Sequence, residues 1–261
     1  MQSNSMSARS FAIEPLESRT LMAAQEFNLL SLLHYNRPSS SWTYDVSDSI
    51  NNDGKKSTGT TTATVAIGKK AAVVGGIKSD VVVLAIGKTK LTAAWFTTSK
   101  GTFIDLATES TTLGPISVQL TNTKVGPAEM VVGTPYSGKG TFSASFSGTF
   151  KGHAYTATIS GNDSISAELI GAKTVGVPAG RFSTIQGNYT INISGKLSVK
   201  SGGETFPGTF TAVHEQTFYA APTVGIVKFT QVDNAAISVP GIVSTATKLT
   251  ASGNLVTDVL T

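Results

Sequence analysis

The sequence predicts a mainly β protein of antiparallel strands, and three observations carry that prediction. Charged residues make up only 14% of the 261-residue chain, while Ser, Thr, Gly and Val are abundant. That composition suits extended strands joined by small-residue turns. Apolar and polar residues alternate along several runs, the period of a strand with one buried and one solvated face. Clusters of Gly, Asn, Asp and Ser punctuate those runs, as turns require.

The first 35 residues differ from the rest, because helix formers concentrate there. The stretch "RSFAIEPLESRTLMAA" (residues 9–24) packs two glutamates, two arginines and a proline into a short space. Read from its residues, it is an amphipathic helix with Pro15 in its first turn, and Leu16, Leu29, Leu30 and Leu33 are available as core residues. It does not fit a secretory signal peptide, whose apolar stretch is uninterrupted; here Glu14, Pro15, Glu17 and Arg19 break it.

The same stretch resembles the N-terminal sorting motif of many planctomycete exported and surface proteins, of the form Leu-Glu-Pro-Leu-Glu-X-Arg-X-Leu-Leu-X-Ala. The matching positions are Ile13, Glu14, Pro15, Leu16, Glu17, Ser18, Arg19, Leu21, Met22 and Ala24, with Ile13 and Met22 in place of leucines. The resemblance implies an exported protein, periplasmic or at the cell surface. Residues 1–24 are therefore expected as an export or sorting segment, helical or disordered, 25–41 as a linker, and 42–261 as one β domain.

In "HYNRPSSSWTYDVSDS", from residue 34, Pro38 and three serines end the head, and Trp42, Tyr44 and Val46 then alternate with polar neighbours. "NNDG" at 51–54 reads as a hairpin turn. "KAAVVGGIKSDVVVLAIG" is more continuously apolar and is expected as a central pair of strands. In "GTFSASFSG", Phe142, Ala144 and Phe146 share one face. Tyr155, Ala157 and Ile159 do the same in "HAYTATISG", as do Tyr189, Ile191 and Ile193 in "GNYTINISG". "GND" at 161–163 and "KSGG" at 200–203 read as turns between such runs. "GTF" recurs at 101, 140, 148 and 208, but the unequal spacings give no solenoid or propeller period.

Three short stretches carry a second resemblance. "VGVPAGRFSTIQGNYTI" (175–191), "TFYAAPTVGIVKFTQ" (217–231) and "HYNRPSSSWTYDV" are similar to segments of secreted bacterial β proteins. These are half-barrel proteins like the lipoprotein carriers LolA and LolB and the DUF3108 proteins. The matched residues are Trp42, Tyr44, Pro178, Ala179, Gly180, Phe182, Tyr219, Ala220, Pro222, Gly225, Val227 and Lys228. Arg181, the extra Ala221 and Thr223 depart from the pattern. The resemblance implies a single curved antiparallel sheet, a half-barrel or a closed barrel. The residues themselves argue for shape: Pro178 fixes φ, Gly180 permits a positive φ, and Pro222 cannot donate a ladder hydrogen bond.

Chemistry is sparse by comparison. The chain has no cysteine, which excludes disulfides, thiolate catalysis and cysteine-bound zinc together. The net charge of +4 comes from scattered lysines without interleaved aromatics, a solvated surface rather than a nucleic-acid platform. No apolar run reaches the roughly 18 residues of a membrane helix. Of the three histidines, His34 lies in the head, His153 follows a glycine at a strand start, and His214 shares strand parity with Phe210 and Phe218. "HE" at 214–215 lacks the second histidine of a zinc-protease helix, no G-x-S-x-G elbow is present, and the few acids suggest no glycosidase pair.

The segment around Asp48 and Asp53 reads as a hairpin turn or a weak calcium site, with too few carboxylates for a tight one. No catalytic residue, metal ligand or cofactor is expected. The aromatics that an open sheet would place on its concave face are Trp42, Tyr44, Trp95, Phe96, Phe142 and Phe146. They are either core or the lining of a groove for an apolar or lipid-like ligand. The two expectations are thus a non-enzymatic envelope protein binding such a ligand, or a structural or protein-interaction component of the envelope without a small-molecule site.

Overall fold

The computed structural model describes residues 26–260 except 70, 71, 75, 76, 87, 88, 99, 112, 113, 151 and 152. The sorting segment expected at 1–24 lies outside the described residues. Along the chain follow β1 (Glu26–Phe27), α1 (Leu29–Leu32), β2 (Ser41–Asn52), β3 (Lys55–Ile67), β4 (Ala72–Val74), β5 (Ile77–Ile86) and β6 (Thr89–Thr98). Next come β7 (Gly101–Thr111), β8 (Gly114–Gly126), β9 (Met130–Val131), β10 (Tyr136–Phe150) and β11 (His153–Val177). The chain ends with β12 (Gly180–Ser201), β13 (Glu204–Ala221), β14 (Gly225–Val239) and β15 (Val243–Val259).

Thirteen of these strands form a single antiparallel sheet, in the order β3-β2-β15-β14-β13-β12-β11-β10-β8-β7-β6-β5-β4. The sheet is also joined to itself. Ala63–Ile67 of β3 pair with Val82–Ile86 of β5, so the ring of strands closes at one end. The rest of β3, Lys55–Thr62, pairs only with β2. The molecule is therefore a barrel at one end and an open half-barrel at the other. The apolar run at 71–87 gives one strand with partners on both edges, β5, and one short marginal strand, β4, which pairs with β5 alone.

The turns form as the sequence dictates. Asp53 and Gly54 both have positive φ, at 47° and 85°, the two-residue Asp-Gly hairpin that matches strand twist. Gly202 and Gly203 make the equivalent turn between β12 and β13. Pro178 and Ala179 link β11 to β12 ahead of Gly180. The "GND" signal at 161–163 does not make a turn, since β11 runs straight through it for 25 residues. Gly161 instead pairs with Gly195 of β12, and a Cβ on either would strike the backbone of the other strand. Here glycine serves close approach between strands, the second of its roles in a sheet.

Registers across β10–β15 and β2 align the inward side chains in rows. One row runs Leu169, Gly187, Phe218, Phe229, Gly253 and Val46. The two rings need the two glycines: a Cβ at Gly187 would meet the ring of Phe218, and one at Gly253 the ring of Phe229. At the other end, Phe142 and Phe210 lie on β10 and β13, with β11 and β12 between them. Their rings meet at 6.5 Å across the positions of Gly161 and Gly195. Gly187→Val should accordingly cost about 1–3 kcal/mol by overpacking, read as a lower urea midpoint with an unchanged slope; an unchanged midpoint would refute the ring-on-glycine packing.

Outward positions on the same strands are Ser143, Ser145, Thr156, Thr158, Ser160, Asn192, Ser194, Thr209, Thr211 and their neighbours, mostly exposed. A hydroxylated outer face and an apolar inner one suit water outside the sheet, the reverse of a lipid-facing barrel.

Of residues 25–41, read from sequence as a linker, those described are built into the fold. β1 pairs with β9, and α1 lies on the concave face at the closed end. Leu29, Leu30, Leu32 and Leu33 are all buried, three of them packed against Val125, Ile165, Leu169, Ile185 and Phe218. Asn28 caps the helix by accepting the Ser31 N–H, and its own amide donates to Ala128 O. The helix ends in paired bonds from His34 N to Ser31 O and Tyr35 N to Leu30 O, with His34 at φ 57° where glycine is usual.

Candidate functional site

The concave face divides into three zones: a filled closed end, a polar belt, and an apolar patch toward the open end. The closed end is held by three ring donors. His34 Nε2 donates to Pro222 O (2.7 Å), Trp42 Nε1 to Val224 O (2.6 Å) and the Tyr44 hydroxyl to Ile226 O (2.8 Å). Two of the similar stretches, "HYNRPSSSWTY" and "YAAPTVGIV", are thus partners: alternate carbonyls of the second meet rings of the first. Gly225, at φ 94°, lies so close to Leu33 O that a Cβ would crowd it. Burial pushes the Tyr35 phenol up to about 12, and its ring packs edge-on to Trp95 at 5.4 Å.

Four of the six aromatics expected to line a groove have described side chains, and these fall in two places. Trp42 and Tyr44 are buried core at the closed end, and half-buried Trp95 packs beside them. Phe142 belongs to a separate cluster with Ile159, Leu197 and Val239. The side chains of Phe96 and Phe146 lie outside the described residues; their backbones pair with Phe103 and Ala157. Asp48 and Asp53 do not converge. Asp53 sits at the β2–β3 turn, its carboxylate accepting from Ala246 N and Thr245 Oγ1, both at 2.8 Å. These bonds hold its carboxyl below the usual range. Among the described residues, no group of three or more His, Cys, Asp or Glu could hold a metal ion.

His34 carries a pH response. Burial lowers it from its ordinary 6.5, against the opposing bond to Pro222, and its Nδ1 is buried without a hydrogen-bond partner. The folded protein thus resists a proton that the unfolded chain accepts. Stability should be full above about pH 6.5 and fall below it, by at most about 1.4 kcal/mol per pH unit. Asp53 loses its contribution only in the lower carboxylate range, so the two windows separate. His34→Gln should flatten the slope of unfolding free energy between about pH 7 and pH 5; an unchanged slope would assign it to another group.

The polar belt was not foreseen as a unit. One row across the sheet reads Ile165, Ile191, His214, Asp233, Leu249 and Ile50. His214 Nδ1 meets Asp233 Oδ1 at 2.5 Å, and Gln231 Nε2 donates to Asp233 Oδ2 at 2.9 Å. The Tyr189 ring packs edge-on to His214 at 6.2 Å. Its buried hydroxyl has no hydrogen-bond partner, and burial with the nearby Asp163 raises its pKa. His214 and Asp233 are 30% and 31% exposed, so water reaches the pair. The placement of His214 beside an aromatic agrees with its strand parity, but Asp233 was missed. A bulge between Tyr219 and Ala220 shifts the register by one. Counting back from the Ala221–Gly225 pair would set His214 against Val232, on the wrong face.

No protein-family model matches the chain, and no curated protein matches it either. Among solved structures, a "putative lipoprotein" from Parabacteroides distasonis aligns over 85% of this chain and 95% of its own, at 10% identity and a TM-score of 0.26. A "putative exported protein with YmcC-like fold" from Bacteroides fragilis aligns over 85% and 96%, at 11% identity and a TM-score of 0.26.

Proposed function

We propose that the chain is an exported, non-enzymatic β protein of the cell envelope, and that the unclosed half of its concave face takes an apolar or lipid-like ligand. Export is supported by the sorting-motif resemblance at Ile13–Ala24. Binding is supported by one observation above the others: Ile50, Ile193, Phe210, Ile237 and Leu249 face inward yet remain partly exposed. An apolar strip left wet on a concave sheet is the usual form of a ligand site. Trp42 and Tyr44, buried at the closed end, would support this site from behind and not touch its ligand. As for catalysis, His34 is engaged by Pro222, and among the described residues no hydroxyl nucleophile is hydrogen-bonded to His214.

A second reading, an envelope structural or interaction part without a small-molecule site, draws on a different observation. The closed end is filled by the chain's own α1. The described hollows, about 220–510 Å³, lie largely along the hydroxylated outer face. Native mass spectrometry of the protein purified from its own host, followed by solvent extraction, separates the two. A reproducible bound amphiphile is the expected result. A ligand-free protein that self-associates would favour the structural reading.

A further inference from the structure

Charge is distributed unequally between the inward and outward positions of β10–β15 and β2. On β10–β15 and β2 the inward rows hold Asp48, Asp163 and Asp233 and no lysine or arginine, and the row of Asp163 ends on β3 at exposed Lys55. Lys139, Lys196, Lys200, Lys228 and Lys248 stand at outward positions of the same strands. The chain is +4 overall, yet the part of the groove around His214 is acidic.

Within that groove one polar group is prepared for a partner. Asp233 is an acceptor, so His214 Nδ1 carries the proton and Nε2 presents a lone pair. Gln231 fixes the far carboxylate oxygen and with it the ring. Nε2 has no hydrogen-bond partner among the described residues, and the imidazole is 30% exposed. Ile191 lies beside it on one strand, and Leu249 and Ile50 follow on the other side.

From this arrangement we propose that the groove binds a cationic amphiphile: a primary amine or ammonium head at His214 Nε2 beside Asp233, with its alkyl chain over the apolar strip. A carboxylate head placed at His214 would instead meet the Asp233 carboxylate. The proposal rests on the ligand reading above and adds its head-group class.

The test titrates the full-length protein with dodecylamine, dodecanol and dodecanoate by calorimetry, and follows the Nε2 resonance of His214 by nitrogen NMR. A charge-assisted hydrogen bond sets the expected preference for the amine at roughly ten- to hundredfold over dodecanoate. Asp233→Asn and His214→Leu should each abolish that preference while leaving dodecanol affinity within about twofold. His214→Gln, which keeps an acceptor and adds no charge, guards against a folding defect and should retain part of it. If all three probes bind alike and the variants change nothing, the head-group assignment is wrong and the apolar groove stands. If none binds to the folded protein, the groove itself is not a ligand site and both ideas fall.

Discussion

Trp42→Ala is expected to lower unfolding free energy by about 3–5 kcal/mol, the largest single-residue loss in the molecule. Trp42 is only 2% exposed and among the largest fully buried side chains. Removing it opens a cavity where β2, β3 and β14 meet. It also leaves the carbonyl of buried Val224 without the indole N–H that lies 2.6 Å away, and a buried orphan acceptor costs about 1–3 kcal/mol. Against a typical total of about 5–15 kcal/mol, the variant should be marginal at 37 °C. Trp42→Phe divides the two costs, since it keeps most of the apolar area and discards the donor. Urea unfolding should place it about midway between wild type and alanine. Equal losses for the two variants would mean that the hydrogen bond, and not the packing, holds this corner.

The same corner shows what was legible in the chain. Two-residue alternation exposed β2, β10, β11, β12 and their buried faces, because one residue of register decides which side chains meet water. The Asp-Gly and Gly-Gly turns were legible because their positive φ values admit few residues. Long-range pairings were not. Nothing in "HYNRPSSSWTY" says that its rings seek carbonyls almost 190 residues away. Gly161 reads as a turn, since the requirement it serves, contact with Gly195, belongs to another strand. The aromatic set was gathered by residue type, whereas the fold sends Trp42 and Tyr44 to one end and Phe142 to the other. The His214–Asp233 pair stayed hidden behind a single bulge.

The second large effect concerns α1. Leu29→Ser with Leu33→Ser should cost about 4–8 kcal/mol together, since each deletes a buried side chain worth about 2–5 kcal/mol and neighbours need not add. A four-residue helix has almost no stability of its own, so α1 is held by the face it covers. Its anchors lie on either side: Asn28 on Ala128 O and His34 on Pro222 O. The variant therefore separates two roles. If the sheet needs the segment to fold, cooperative unfolding and dispersed amide signals disappear together. If the sheet stands alone, the variant stays folded and binds an environment-sensitive apolar dye at the closed end, with chemical-shift changes at Leu169, Ile185 and Phe218. The first outcome is the expected one, because Ile185, Phe218 and Ala220 have their buried faces against the helix and would otherwise meet water. The second would turn α1 from a part of the core into a cover that the concave face can shed, and would extend the accessible groove from Ile50 and Leu249 to the foot of Trp42.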